Sequence, residues 1–422
     1  MTLHKYYRWE LLGLLCGAFF LHQADRAIFG VVLPAIQSDL GLTSEQVGLV
    51  GATLFLALAV MMPVAGYVGD VFSRKWVVTC SLVFWSAATL FTGLTSGLVG
   101  LILLRSVATA WGESFYSPAA YPLLAAFHKR TRTTAMSIHQ AALYVAMMIS
   151  GVLAGYIADH WGWRYAFFLY GACGILLGGV FVFRLQDAPA EVQPHPQAMT
   201  PRVTPTEALG VLLRTPTALL ITVSFTAVVL VNNAYVVWAP SFLQEKFELS
   251  MTAAGGLAMV CQYLAAMLGV LLGGAISDRM VVAQPRFRLQ LQSVFMLLCA
   301  PALLLLSLAG NLLLTCCGML ALGLCQGTYQ SNTPSSLFDV IPPRYRSSAL
   351  GVQIMLAFVA GSVSPWLLGQ AREAWDDGRG LSYGFAALSA AYVLGSLALV
   401  VALRFTFGRD RYLEDRRGDG KC

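Results

Sequence analysis

Apolar residues run through the chain in long blocks separated by short polar stretches. The blocks show neither the alternation of a half-buried strand nor the single stripe of a surface helix. An α-helix needs about 20 apolar residues to cross the hydrocarbon of a bilayer. Blocks of that length fall at roughly 11–33, 44–68, 74–94, 97–122, 133–158, 161–184, 217–243, 252–276, 288–309, 311–335, 347–371 and 382–407. They are too long and too evenly apolar for the strands of a membrane barrel. The pattern predicts an all-α integral membrane protein with twelve transmembrane helices, numbered here as spans 1 to 12. No small-residue cleavage site follows the first block, so it is expected to be retained as an anchor.

The polar interruptions divide the chain. Gln186 to Pro216 holds six prolines and reads as a linker. Its end, "TPTEALGVLLRTP", has the pattern of a short amphipathic surface helix. Residues 1–185 then form an N-terminal six-helix bundle, 186–216 a cytoplasmic linker, 217–407 a C-terminal six-helix bundle and 408–422 a cytoplasmic tail. The halves match each other in order. "GLTSEQVG" at 41–48 aligns with "ELSMTAAG" at 248–255, "GYVGD" at 66–70 with "GAISD" at 274–278, and "RTTAMSI" at 132–138 with "RSSALGV" at 346–352. Pro118 pairs with Pro334. A repeat of six spans with a site near the midplane between its copies is a transporter architecture.

Composition narrows this further. The chain is 57% hydrophobic and 11% charged, with mean hydropathy +0.68, too few charges to cover a soluble protein of this size. The net charge of +6 reflects loops and not nucleic acid. With a cytoplasmic N-terminus, 21 of the 27 Lys and Arg fall on cytoplasmic segments, and only Arg164, Lys246, Arg372 and Arg379 face outward. That bias puts both termini in the cytoplasm. The absence of an Asn-x-Ser/Thr sequon suits a bacterial inner membrane. Eight of the nine Cys lie within apolar blocks with no zinc-like spacing, so they are packing residues and neither metal nor cofactor is expected. No P-loop occurs, so there is no sign of ATP drive. No nucleophile, base and metal set converges, so an enzyme is not expected. A receptor built on such a fold would carry a signalling domain, and only 15 residues follow Phe407.

Two spans carry charge. Span 1 holds Asp25 and Arg26, and span 4 holds Arg105 and Glu113. Each charge at a helix centre costs about 2.5–3.5 kcal/mol on insertion scales, a heavy load unless the groups pair or face a wet cavity. Adjacent helical residues point about 100° apart, so Asp25 and Arg26 are expected to meet groups on span 4 and not each other. A carboxylate in a mostly apolar cavity can take up and release protons near neutral pH, and an Arg can grip an anion in bidentate fashion. The repeat places Asn232 and Asn233 where the first half has Asp25 and Arg26, and Tyr329 where it has Glu113. Neutral groups in the second half imply polar substrate recognition there, with Asn232, Asn233, Tyr235, Gln326, Tyr329, Gln330 and Asn332 as candidates. His22, on nearly the same face as Asp25, and His139, Gln140 and Tyr144 in span 5 are further candidates. Gly151 and Gly155 fit close helix packing.

"GYVGDVFSRK" after span 2 resembles the signature loop of the major facilitator superfamily, with Gly66, Asp70, Arg74 and Lys75 in place and Val71 and Ser73 departing from it. "ADR" in span 1, "GESFYSP" in span 4 and "GWR" opening span 6 resemble the anion:cation symporter and bacterial Spinster-like branches. The resemblance covers the whole chain and implies two six-helix bundles, with spans 1, 4, 7 and 10 around a central cavity. It implies Asp25 and Glu113 as proton-coupling residues and Arg26 as the anion contact. It also implies gating by the signature loop and, through the repeat, by Asp278 and Arg279. The family spacing between the Arg and Glu positions of span 4 is one residue shorter than the eight seen here, which turns Arg105 by about 100°. The expected function is proton-coupled symport of a small organic anion, a sugar acid or other carboxylate, by alternating access. The alternative is a Spinster-like carrier of a lysolipid or other amphiphile. The expected partners are that anion, protons and membrane lipid, with the chain acting as a monomer.

Overall fold

The computed structural model describes residues 2–128, 131–187, 204–281, 284, 286–375 and 378–411. Twelve helices long and apolar enough to cross a membrane are present among them: Tyr6–Leu40, Ser44–Gly69, Arg74–Thr92, Leu98–Phe127, Thr134–Trp161, Trp163–Arg184, Pro216–Phe247, Met251–Val281, Phe287–Leu308, Leu312–Phe338, Pro343–Ala374 and Gly380–Asp410. They are spans 1 to 12 in chain order. Several run past the apolar block that predicts them, because a helix continues into the interface once its polar ends are capped. Span 2, for example, begins with a capping box in which Thr43 accepts from the Gln46 amide and the Gln46 side chain answers. Span 12 stays helical past Phe407 to Asp410. The rest of the predicted tail, beyond Arg411, and linker residues 188–203 lie outside the described residues. The described end of the linker is a short helix, Pro205–Arg214, opened by a second capping box, Thr204 with Glu207. Its Ala208 and Leu212 are fully buried, as the amphipathic pattern predicts.

Prolines shape the spans where the core needs bends. Span 10 breaks at Ser331 and Asn332 ahead of Pro334, and span 11 at Ser362 and Val363 ahead of Pro365. A proline removes one intrahelical hydrogen bond, and side chains re-satisfy the freed carbonyls. Ser364 donates to the Gly361 carbonyl, four residues before Pro365, at 2.9 Å, and also to the Leu230 carbonyl at 2.6 Å, which ties span 11 to span 7.

Spans 1–6 and 7–12 form the two bundles, and they meet through small residues. Gly151 of span 5 leaves no room for a side chain: a Cβ there would lie 2.6 Å from Met259 Cβ on span 8, and Gly155 is pressed against Met251 one turn further on. The paired glycines therefore close the bundles against each other, with span 8 as the partner. Gly30 of span 1 packs in the same way on the Val236 carbonyl of span 7.

Polar contacts seal the side of the molecule opposite the chain ends. Arg372 of span 11 donates to Gln37 Oε1 at 2.5 Å and Ser44 Oγ at 2.8 Å in the first half, and pairs with Glu245 of span 7 at 2.7 Å. Glu45 accepts from Trp366 Nε1 at 3.0 Å. Asp159 caps the start of span 8 through the Met251 and Thr252 amides. On the side of the chain ends the bundles part and leave a cavity.

Arg372 joins three partners from two bundles, so its removal loosens the seal. We expect Arg372→Ala to shift the balance of states by about 1 kcal/mol, between an exposed and a buried pair. In a background without native cysteines, Asn232→Cys should then react several-fold faster with a membrane-impermeant thiol reagent added on the sealed side. Unchanged reactivity would show that the small-residue contacts hold the closure alone.

Candidate functional site

Span 4 is irregular where its charges lie. Leu101–Ala108, which includes Arg105, is wound as a π-helix before the regular helix resumes at Thr109. A π-turn takes one extra residue to complete, so it absorbs the additional position between Arg105 and Glu113. The sequence spacing alone turns Arg105 away from the site. The π-segment turns it back, and Arg105 meets span 1.

The four intramembrane charges form two pairs. Arg105 Nη1 donates to Asp25 Oδ2 at 2.6 Å and its Nη2 to the Asp25 carbonyl at 2.9 Å. Thr89 of span 3 donates to Asp25 Oδ1 at 2.8 Å, and the Arg105 guanidinium lies 5.2 Å from the Phe29 ring centre. Both side chains of this pair are dry, at 1% and 2% exposure. Arg26 donates from Nε and Nη2 to Glu113 Oε2 at 3.2 and 3.1 Å. Here the two differ: Glu113 is fully buried, while Arg26 keeps 18% of its side chain exposed, toward the cavity. Glu113 Oε1 accepts no hydrogen bond. The expectation that span 1 and span 4 charges pair with each other holds. The expectation that Asp25 itself reaches the cavity does not: the bidentate Arg105 and Thr89 hold it behind the cavity wall.

The cavity lies between the bundles, with a volume near 460 Å³. Its walls come from spans 1, 2, 4, 5, 7, 8, 10 and 11, so spans 2, 5, 8 and 11 join the four expected ones. Of the residues singled out by sequence, His22, Arg26, Gln140, Tyr144, Asn232, Asn233, Gln326 and Gln330 line it. Asn233 also donates to the Gly361 carbonyl at 3.3 Å. Tyr235, Tyr329 and Asn332 stand outside the wall. Tyr235 donates to the Ala258 carbonyl at 2.7 Å, Tyr329 is fully buried, and Asn332 turns back on Ser331 at 3.0 Å. His139 is likewise behind the wall, 2.9 Å from the Tyr116 hydroxyl. Gln23, Gln262 and Tyr263 line the cavity although sequence reasoning passed over them. Gln262 donates to Gln326 Oε1, and Gln326 to the Tyr392 hydroxyl. A polar residue deep in span 8 was the available signal for Gln262. Much of the remaining wall is apolar, including Phe19, Phe55, Met147, Phe225 and Phe358. Among the described residues, Arg26 is the one charged side chain that lines the cavity.

The gating candidates sit at the end of the bundles where the cavity opens. Ser73, which departs from the signature, caps span 3 and donates to Asp187 after span 6; Asp187 also accepts from the Lys75 amide at 3.0 Å. Arg74 and Gly66 are half-buried, and the Asp70 side chain lies outside the described residues. Asp278 and Arg279 are exposed, with Asp278 3.8 Å from Arg288. Arg288 in turn donates to Asp339, just after span 10, at 3.2 Å.

Two six-helix bundles, sealed on one face and open on the other around a cavity with one cation, define a membrane transporter. The chain belongs to the Major Facilitator Superfamily, whose pattern it matches over residues 15–365. It is 26% identical over 417 residues to an MFS-type efflux pump of Mycolicibacterium smegmatis, covering 96% of this chain and 94% of that one. It is 28% identical over 382 residues to Protein spinster homolog 1 of Homo sapiens, covering 85% of this chain and 72% of that protein. Its fold superposes with a TM-score of 0.83, at 20% identity and over 97% of this chain and 99% of the other, on a bacterial homologue of the human lysosomal transporter Spinster in an inward-facing and unoccupied conformation. The resemblance to Spinster-like proteins therefore stands.

The dry pair and the cavity pair should respond differently to substitution. Arg105→Met leaves a buried carboxylate unpartnered and should cost about 3–5 kcal/mol, whereas Asp25→Asn combined with Arg105→Met should recover most of it. Thermal unfolding in detergent measures both. A single Arg105→Met variant within about 1 kcal/mol of wild type would mean that Asp25 does not depend on Arg105.

Proposed function

We infer that this transporter carries an amphipathic organic anion by proton-coupled alternating access. The observation that supports this most is the single cation, Arg26, set in a cavity whose wall is otherwise neutral and largely apolar. The apolar faces of Phe19, Phe55, Met147, Phe225 and Phe358 suit the apolar body of an amphiphile better than a fully hydroxylated sugar acid. A carboxylate or phosphate head on an apolar body suits both surfaces, so the organic-anion reading and the Spinster-like amphiphile reading converge on one substrate class. The neutral amides of Gln262, Gln326, Asn232 and Gln330 supply hydrogen bonds without a competing charge.

Coupling follows from shared use of Arg26. With Glu113 ionised, the guanidinium is already matched. A proton on Glu113 releases it to grip the incoming anion, and loss of the anion and proton together restores the pair. Asp25, held by Arg105 behind the cavity wall, fixes span 1 against span 4. The excess of Lys and Arg on the loops beside the chain ends supports cytoplasmic termini, so the cavity faces the cytoplasm in this state, and the absence of an Asn-x-Ser/Thr sequon suits a bacterial inner membrane.

A thermal-shift screen of purified protein at two pH values tests the reading. Amphipathic carboxylates and lysophospholipids should stabilise it more at the lower pH, and sugar acids should not. Arg26→Ala should remove the shift, and Arg26→Lys should restore little of it, since an ammonium makes no bidentate contact. In proteoliposomes Glu113→Gln should lose accumulation driven by a pH gradient and keep exchange of labelled for unlabelled substrate. Full gradient-driven accumulation in Glu113→Gln, or near-normal affinity in Arg26→Ala, would overturn this assignment.

A further inference from the structure

Glu113 has no surface of its own in the cavity, so a proton that reaches it must pass through a neighbour. Two cavity-lining residues approach its Oε2. One is Arg26, which is always protonated and has no acceptor, so it cannot hand a proton on. The other is His22, whose Nε2 stands 3.7 Å from Glu113 Oε2. Its Nδ1 accepts from the Gln23 side-chain amide at 3.0 Å, which leaves the ring proton on Nε2, the nitrogen that faces the carboxylate.

Resting on the proton-coupled reading above, we propose that His22 is the proton-transfer residue between the cavity and Glu113. The Gln23 amide moves off Nδ1 and a cavity proton binds there. The imidazolium then gives its Nε2 proton to Glu113 Oε2 after the 3.7 Å gap closes to hydrogen-bond length. The ring is left neutral with its proton on Nδ1, and resets by losing that proton to water and regaining one on Nε2. One proton moves from the cavity to the carboxyl and no electrons are exchanged.

The surroundings suit a ring that passes a charge without keeping it. Asp25 and Arg26 flank it on its own helix, and Glu113 and Tyr116 face it from span 4. Trp85 faces it from span 3 at 5.6 Å, and beyond Phe19, which stacks on it at 5.7 Å, lies His139 of span 5. The aromatic rings hold the imidazole plane against Glu113 while Nδ1 stays next to the cavity-lining Gln23.

The test follows Glu113 directly and requires no substrate. After a rapid drop in pH, infrared difference spectroscopy of the purified full chain records the rise of the protonated-carboxyl band that is missing in Glu113→Gln. His22→Gln and His22→Ala should slow that rise by on the order of a hundredfold and leave its final size unchanged. Added imidazole, which fits the cavity, should restore the rate in His22→Ala and not affect Glu113→Gln. A wild-type rate in His22→Gln would overturn the relay while leaving Glu113 as the proton site. So would a smaller band with no change in rate, which marks a purely structural role. A wild-type protein that shows no Glu113 band at any pH removes the proton site, and the relay with it.

Discussion

Four full charges sit inside the first bundle, and their sum must stay near zero. Two carboxylates and two guanidiniums meet this condition here as Asp25 with Arg105 and Arg26 with Glu113. Breaking either pair by removing one partner strands a charge at a penalty of several kcal/mol. The rest of the first half is arranged around that requirement. Span 4 adopts a π-turn to present Arg105, span 3 contributes Thr89, and the Phe29 ring flanks the guanidinium. Because one pair is sealed and the other borders the cavity, only the second is free to exchange partners. On the proposed mechanism, neutrality then ties an arriving anion to an arriving proton.

The second half has no such constraint. Its repeat-equivalent positions are Asn232, Asn233 and Tyr329, neutral side chains that need no counter-charge. Spans 7, 8, 10 and 11 supply the second half's share of the cavity wall, while the closure of the opposite face falls to Arg372 and the glycine contacts between bundles. The bundles can part at that face by breaking a few polar contacts and sliding along small residues, without disturbing the buried pairs.

Much of this was legible in the sequence for plain physical reasons. A membrane span is a run of about 20 apolar residues, so the number of helices could be read from the pattern of apolar blocks, and the repeat from its matched motifs. The intramembrane charges stood out because each is expensive, and their pairing across spans 1 and 4 followed from helix geometry. Which charge pairs with which was not legible. It depends on the π-turn at Leu101–Ala108, a backbone choice set by tertiary contact. Tyr235, Tyr329 and Asn332 resemble cavity residues by type and spacing, yet a small rotation of a helix sends their polar atoms to backbone carbonyls or into the core. Gln262 and Tyr263 fell in a span that the four-helix picture of the cavity left out.

The proposed link between proton and anion can be tested at equilibrium, without transport. Calorimetric titration of the purified protein with an amphipathic anion, in two buffers of different ionisation enthalpy at one pH, yields the protons taken up per anion bound. Shared use of Arg26 requires that Glu113 be protonated as the anion binds. At a pH where Glu113 is ionised in the free protein, uptake should be close to one proton in wild type and close to none in Glu113→Gln. Tight binding with no proton uptake in wild type, or with the same uptake in Glu113→Gln, would contradict it.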